Sequence, residues 1–141
     1  MNRLWVRLCV EDKNKNGRYV EYGSVYWYRN GLLHREDGPA AEYKDGEWEW
    51  YFNGELHRNG EPAKISWTCE IEYRDWYQHG KLHREDGPAR TDGDGNYAYF
   101  LDGKELTEEE FNAYLERKKL KESLGRDLDM KTNNNKKSKI W

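Results

Sequence analysis

The sequence is short of cysteine, of aliphatic residues and of long apolar runs, and each shortage removes a class of protein. Cys9 and Cys69 are the only thiols and form no Cys-x-x-Cys pair, which excludes a disulfide-stapled framework. The chain therefore reads as a cytoplasmic protein with free thiols. No apolar stretch approaches the ~20 residues of a membrane-spanning helix, so no membrane association is expected. Met1 to Val10 alternates apolar residues with Arg3 and Arg7, which is not the continuous apolar core of a signal peptide. No glycine-rich loop precedes a helix as a phosphate cradle, and neither cysteine has the neighbouring His or acid that would activate it. An enzyme is not expected, and no cofactor is implied.

Positive charge is scarce over most of the chain. Residues 117–141 carry nine Lys or Arg against three acids, a local +6, whereas the preceding 116 residues carry fifteen basic and twenty-four acidic groups, or −9. An acidic body is a poor partner for a phosphate backbone, so nucleic acid is expected only through the basic tail. What the chain has in excess is rings: seven Trp and eleven Tyr beside 36% charged residues. Disordered chains lack such rings. Trp and Tyr bury large areas while keeping a polar handle, so one folded body with a thin, shallow, aromatic core is expected.

Three segments align directly. Trp27-Tyr28-Arg29-Asn30-Gly31-Leu32-Leu33-His34-Arg35-Glu36-Asp37-Gly38-Pro39-Ala40 matches Trp50-Tyr51-Phe52-Asn53-Gly54-Glu55-Leu56-His57-Arg58-Asn59-Gly60-Glu61-Pro62-Ala63. Both match Trp76-Tyr77-Gln78-His79-Gly80-Lys81-Leu82-His83-Arg84-Glu85-Asp86-Gly87-Pro88-Ala89, and a degenerate fourth copy runs from Tyr99 to Leu106. Gly31, Gly54, Gly80 and Gly103 are 23, 26 and 23 residues apart, a period that means one supersecondary unit per copy. Asn30-Gly31, Asn53-Gly54 and Asp102-Gly103 are type I′ hairpin signals, because both central residues of that turn need positive φ. Counting outward from each turn pairs Tyr28 with Leu33, Tyr51 with Leu56 and Tyr77 with Leu82. One step further, Trp27 faces His34, Trp50 faces His57 and Trp76 faces His83. Alternation puts Tyr/Leu pairs on one face and Trp/His pairs on the other.

The fold class is therefore mainly β, an antiparallel β-hairpin repeat meander, either a MORN-like solenoid or an extended sheet, with a C-terminal helix. The repeat domain spans 1–106, with units near 19–43, 44–65, 66–92 and 93–106. Alternating Leu4, Val6, Leu8 and Val10, with a turn at 13–17, predict an opening hairpin that caps the first unit. Thr107-Glu108-Glu109-Glu110 is a capping box ahead of Phe111, Tyr114 and Leu115, which predicts a helix over 107–125 stopped at Gly125. The Lys/Asn-rich 126–141 reads as a disordered basic tail.

The unit Trp-Tyr-x-Asn-Gly-x-Leu-His-Arg-Glu-Asp-Gly-Pro-Ala resembles a repeat of bacteriophage and giant-virus proteins, similar in style to MORN-type hairpin repeats. The closing run Asp102 to Phe111 also resembles the end of such phage arrays. The resemblance covers roughly 19–115, and the family brings no settled activity with it. It implies a virus-encoded protein. The second copy departs from the pattern at Asn59-Gly60-Glu61-Pro62, and the 64–75 connection is longer, so a specialised function can sit there.

His34-Arg35, His57-Arg58 and His83-Arg84 are regularly spaced cations beside rings and could hold phosphates or bases. The scaffold reading carries more weight: His stacked on Trp across the ladder, with Arg tied to the following Asp or a turn carbonyl. In Asp37-Gly38-Pro39 and Asp86-Gly87-Pro88, Gly supplies positive φ and Pro fixes the exit, so these acids are not expected to be catalytic. Each repeated His falls on a different hairpin without a closing ligand at metal spacing, so no metal is expected. Trp, Tyr and Arg dominate binding hot spots. The expected function is thus a non-enzymatic protein-binding module. Given the phage resemblance, its partner would be a host factor, such as a bacterial defence protein, that it inhibits. Trp27, Trp50, Trp76, Arg35, Arg58, Arg84 and Trp67 would make the contact. The alternative is a sponge that sequesters a small nucleotide signal with His34, His57 and His83. Nucleic-acid binding through the tail is the third reading.

Overall fold

The computed structural model describes residues 13–137, with side chains through 126. The expected strand over 4–10 lies outside the described residues. Hairpin by hairpin, the strands are β1 (Gly17–Glu21), β2 (Ser24–Arg29), β3 (Leu32–Leu33), β4 (Ala41–Glu42), β5 (Trp48–Glu49), β6 (Tyr51–Phe52) and β7 (Glu55–Leu56). They continue with β8 (Lys64–Thr68), β9 (Ile71–Asp75), β10 (Tyr77–Gln78), β11 (Lys81–Leu82), β12 (Arg90–Asp92), β13 (Tyr97–Leu101) and β14 (Lys104–Leu106), and helix α1 (Glu108–Lys137) follows. The fold is mainly antiparallel β. One open sheet runs β1-β2-β4-β5-β8-β9-β12-β13-β14 with β3 branching from β2, while β6-β7 and β10-β11 are small separate pairs.

The turn chemistry acts as its sequence predicts. Asn30-Gly31, Asn53-Gly54 and Asp102-Gly103 all have positive φ at both positions, and His79-Gly80 does the same without an Asn or Asp. Tyr28 pairs with Leu33, Tyr51 with Leu56 and Tyr77 with Leu82. His34, His57 and His83 each donate their amide to the carbonyl of Trp27, Trp50 and Trp76, at 3.0, 3.0 and 2.9 Å. Two further turns were not signalled: Tyr22-Gly23 joins β1 to β2, and Cys69-Glu70 joins β8 to β9, with both φ values positive in each.

Each copy bends at its tryptophan. Val25 and Tyr26 pair with β4, but Tyr28 and Arg29 pair with β3; the same change of partner interrupts the strand at Trp50 and Trp76. At the bend the Trp27, Trp50 and Trp76 amides donate to Ala40, Ala63 and Ala89 at 2.8, 2.7 and 2.7 Å. Those alanines are fully buried, so the Pro-Ala step places a methyl where two bent strands converge. The core is shallow, as expected, but apart from Phe111 it is not built of buried rings. Ala40, Ala41, Ala63, Ala89 and Phe111 are buried there, with Pro62 beside Ala63. Trp27, Trp50 and Trp76 lie half-buried beside the alanines, because a bend this tight leaves no volume for an indole at its centre.

The helix begins as its capping box requires: Glu110 donates its amide to Thr107 Oγ1, and Thr107 donates its amide to Glu110 Oε2. It does not stop at Gly125. The helix continues to Lys137, so the tail expected to be disordered from 126 is helical up to there. Gly125 does not take the left-handed conformation of a helix stop, and a glycine inside a helix costs only about 1 kcal/mol without a proline to enforce termination.

Candidate functional site

The first and second residues of a two-residue hairpin turn leave their amides unpaired within the hairpin, and in this chain the preceding copy satisfies both. Gly54, Gly80 and Gly103 donate to the carbonyls of Leu33, Leu56 and Leu82 at 2.8, 2.9 and 2.8 Å. Asn53, His79 and Asp102 donate to Nδ1 of His34, His57 and His83 at 3.0, 3.2 and 3.0 Å. Each imidazole is therefore an acceptor that stitches one hairpin to the next. Ahead of the first copy, Lys15 and Asn16 fill the same two roles, with the Lys15 carbonyl accepting from Gly31 and Asn16 Oδ1 from Asn30.

The arginines, not the histidines, lie on the tryptophans. Arg35, Arg58 and Arg84 sit 4.0, 4.1 and 4.2 Å from the ring centroids of Trp27, Trp50 and Trp76. Each also donates Nη1 to a carbonyl of its own loop, Pro39, Pro62 or Pro88, at 3.3 Å. The expected His-on-Trp stack is replaced because the His ring swings forward to the next turn: His34 packs against Phe52, and His57 against His79. Gly38 and Gly87 do not supply positive φ either. A Cβ there would fall 2.7 Å from Arg35 Cζ and 3.3 Å from Arg84 Cζ, a contact that the flexible end of an arginine can relieve, since the second copy carries Glu61 at this position with Arg58 still on Trp50. Among the proposed contact residues, then, Trp27, Trp50 and Trp76 are half-buried under their arginines, and His34, His57 and His83 already hold a backbone amide.

Phe111 completes the column. Tyr99 occupies the tryptophan position of the fourth copy, which has no following His-Arg loop, and Phe111 stacks on it at 4.4 Å and 20°. Two turns on, and on the same face of the helix, Lys118 pairs with Glu85 of the third loop.

One face of the sheet carries a ladder that sequence periodicity did not reveal. Successive registers join Ala41, Glu49, Lys64, Asp75 and Arg90, so acid and base alternate across β5, β8, β9 and β12. Lys64 bonds Glu49 at 2.9 Å and Glu47 at 2.6 Å; Arg90 bonds Asp75 at 2.8 Å. Tyr43 and Tyr51 both donate their hydroxyls to Glu49. Burial pushes the Glu49 carboxyl up, but the bonds from Lys64 and the tyrosines outweigh it and hold the group below the usual range.

On the opposite face, the registers place Val20, Val25, Glu42, Trp48, Ile65, Arg74, Thr91 and Tyr97 in one row. Trp48 and Trp67 meet edge to face at 5.6 Å and remain 43% and 41% exposed. Trp67 was expected at a contact surface; Trp48 was missed, though the alternation Trp48-Glu49-Trp50 already puts it on the face opposite the buried Glu49. Just beyond Trp67, the exposed free thiol of Cys69 and the side chain of Glu70 occupy a turn with φ of 49° and 71°. Neither is Gly, Asn or Asp, so this turn stores conformational energy that Asn-Gly would avoid.

Between the first and second His-Arg loops lies a groove of about 1140 Å³, lined by Arg35, Trp50, Phe52, His57, Arg58 and His79 among others. Among the described residues no three His, Cys, Asp or Glu side chains are placed to hold a metal ion, and no helix is long and apolar enough to cross a membrane.

The stitching histidines make an acid prediction. Burial, then the nearby His79, lowers the His57 pKa, so between its folded value and the unfolded value of about 6.5 the unfolded chain binds more protons. The contribution is complete above about 6.5 and is lost as pH falls through the folded value. Urea unfolding should show lower stability at pH 5.5 than at 7.5, with a smaller difference in His57→Asn; equal differences in the two proteins would remove His57 as the cause.

No family model, no curated protein and no solved structure matches this chain, so the resemblance to phage repeats rests on the motif alone.

Proposed function

We propose that the chain is a non-enzymatic protein-binding module whose contact surface is centred on Trp48 and Trp67. The observation that carries this reading is the edge-to-face tryptophan pair left open on the sheet, since exposed Trp is the residue type most enriched at binding hot spots. The left-handed Cys69-Glu70 turn beside it adds support, because backbone energy of this kind collects at functional segments. The Trp27, Trp50 and Trp76 columns are assigned to the scaffold because their arginines cover them. The phage-type motif supports a host protein as partner, and inhibition of that host factor as the outcome.

The test is affinity capture from bacterial lysate with wild type, Trp67→Ala and Trp48→Ala. Both variants should melt within a few degrees of wild type, because the removed rings are exposed, and both should lose a protein that wild type retains. Equal retention by all three would refute this surface.

A further inference from the structure

The second copy and its neighbouring turn depart from the other copies at Phe52, Asn59, Gly60, Glu61 and His79, of which Phe52, Asn59 and His79 line the groove between the first and second loops. Asn59 stands where the first and third copies carry Glu36 and Glu85, and Gly60 stands where they carry Asp37 and Asp86. Phe52 stands where they carry Arg29 and Gln78, and His79 replaces the turn residues Asn30 and Asn53. Two of these changes remove carboxylates, two add rings, and Glu61, in place of Gly38 and Gly87, returns one carboxylate on the Nη2 side of Arg58.

The lost Asp changes what its arginine can do. Arg35 and Arg84 spend Nε on Asp37 and Asp86 at 2.8 and 2.7 Å. Arg58 has no such partner: among the described residues no acceptor is bonded to its Nε, and its nearest carboxylate, Glu61, stands 3.5 Å from Nη2. The other acids of the groove are engaged, Glu36 by Arg29 and Asp37 by Arg35. Beside Arg58, Phe52, His57 and His79 form a continuous run of rings, with His57 centred 6.0 Å from Phe52 and 4.4 Å from His79. The neighbouring groove between the second and third loops is smaller, about 530 Å³, and keeps Glu85, Asp86 and Asp102 on its walls.

We propose that the groove between the first and second loops binds a nucleoside monophosphate, its base against Phe52, His57 and His79 and its phosphate on the open Nε edge of Arg58. A planar base and a phosphate are the two chemistries that ring stacking and a guanidinium fork select together. Burial and His79 keep His57 predominantly neutral near pH 7.5, which suits a stacking wall. The site is separate from the Trp48 and Trp67 surface and stands or falls independently of it.

The test is calorimetric titration of the full chain at pH 7.5 with AMP, adenosine and inorganic phosphate. AMP should bind at least tenfold more tightly than either part. Asn59→Glu and His79→Asn each restore a residue that the array already carries at the equivalent position, so both should fold, and each should weaken AMP at least tenfold. AMP binding no tighter than phosphate, or both variants binding AMP as wild type does, would overturn the proposal. Trp67→Ala should leave AMP affinity unchanged, so the outcome for the protein-docking surface is read separately.

Discussion

Glu49→Ala should destabilise the fold by about 3 kcal/mol, at the lower end of the range for breaking a buried ion pair. The carboxylate is 5% exposed and accepts from three side chains, Tyr43 at 2.9 Å, Tyr51 at 3.0 Å and Lys64 at 2.9 Å. Its removal leaves two half-buried hydroxyls and one half-buried cation to find new partners. Lys64 keeps Glu47, which is why the loss falls at the low end. Glu49→Gln retains an acceptor and should cost about half as much. Because the folded Glu49 titrates below its usual value, its stabilisation is complete above about 4.5 and disappears as pH falls through the folded value. Urea unfolding of wild type and variant should therefore differ most near neutral pH and converge in acid. A difference below about 1 kcal/mol at pH 7 would show that the ladder is solvated and that the sheet is held by its alanine core and backbone bonds instead.

That ladder marks the limit of what periodicity can show. The hairpins were legible because their determinants are local: Asn-Gly and Asp-Gly fix two φ values, and the count outward from the turn fixes Tyr28 on Leu33 and Tyr51 on Leu56. Lateral neighbours are not local. Glu49 meets Lys64 only because the Asn59-Gly60-Glu61 loop brings β8 back beside β5 in one particular register, and nothing in either strand specifies it. The histidines failed for a related reason. Their partner is an amide of the next copy, about twenty residues on, and only the stacking of two hairpins puts that amide within reach. Gly38 looked like a positive-φ turn residue, but its φ is not positive, and the second copy carries Glu61 in its place with the arginine unmoved from its tryptophan.

The site divides along the same line. Trp67 was legible as an unusual residue in an unusually long connection, whereas its partner Trp48 lies across a strand boundary and becomes its neighbour only through the β5-β8 register. The open Arg58 could have been read from the alignment of the copies, since Gly60 removes the acid that Asp37 and Asp86 supply. What the alignment lacked was the knowledge that this acid clamps the guanidinium. Departures within a repeated unit become interpretable once the common role of each position is known.

Phe111→Ala should detach the helix. Phe111 is 2% exposed, stacks on Tyr99 at 4.4 Å and takes the place that an arginine takes on the three tryptophans. Truncating a buried phenylalanine costs about 3–5 kcal/mol, far more than the capping box at Thr107 and Glu110 can supply at about 1 kcal/mol. What else holds it is polar or only half-buried: Tyr114 and Lys118 meet Glu85, Glu108 accepts from Tyr97, Leu115 is half-buried, and Leu120 and Leu124 are exposed. A mostly polar helix without a tertiary face is marginal in water. Circular dichroism at 222 nm should therefore lose most of its helical signal at 25 °C. The Tyr99 ring, uncovered, would expose the last hairpin, so the melting temperature should fall as well. Phe111→Leu, which keeps bulk but not the stacked ring, should retain the helical signal at room temperature and lose it at a lower temperature than wild type. If Phe111→Ala kept both the helical signal and the wild-type melting temperature, the helix would be self-supporting, and the end of the array would have to be closed by the β13-β14 hairpin alone.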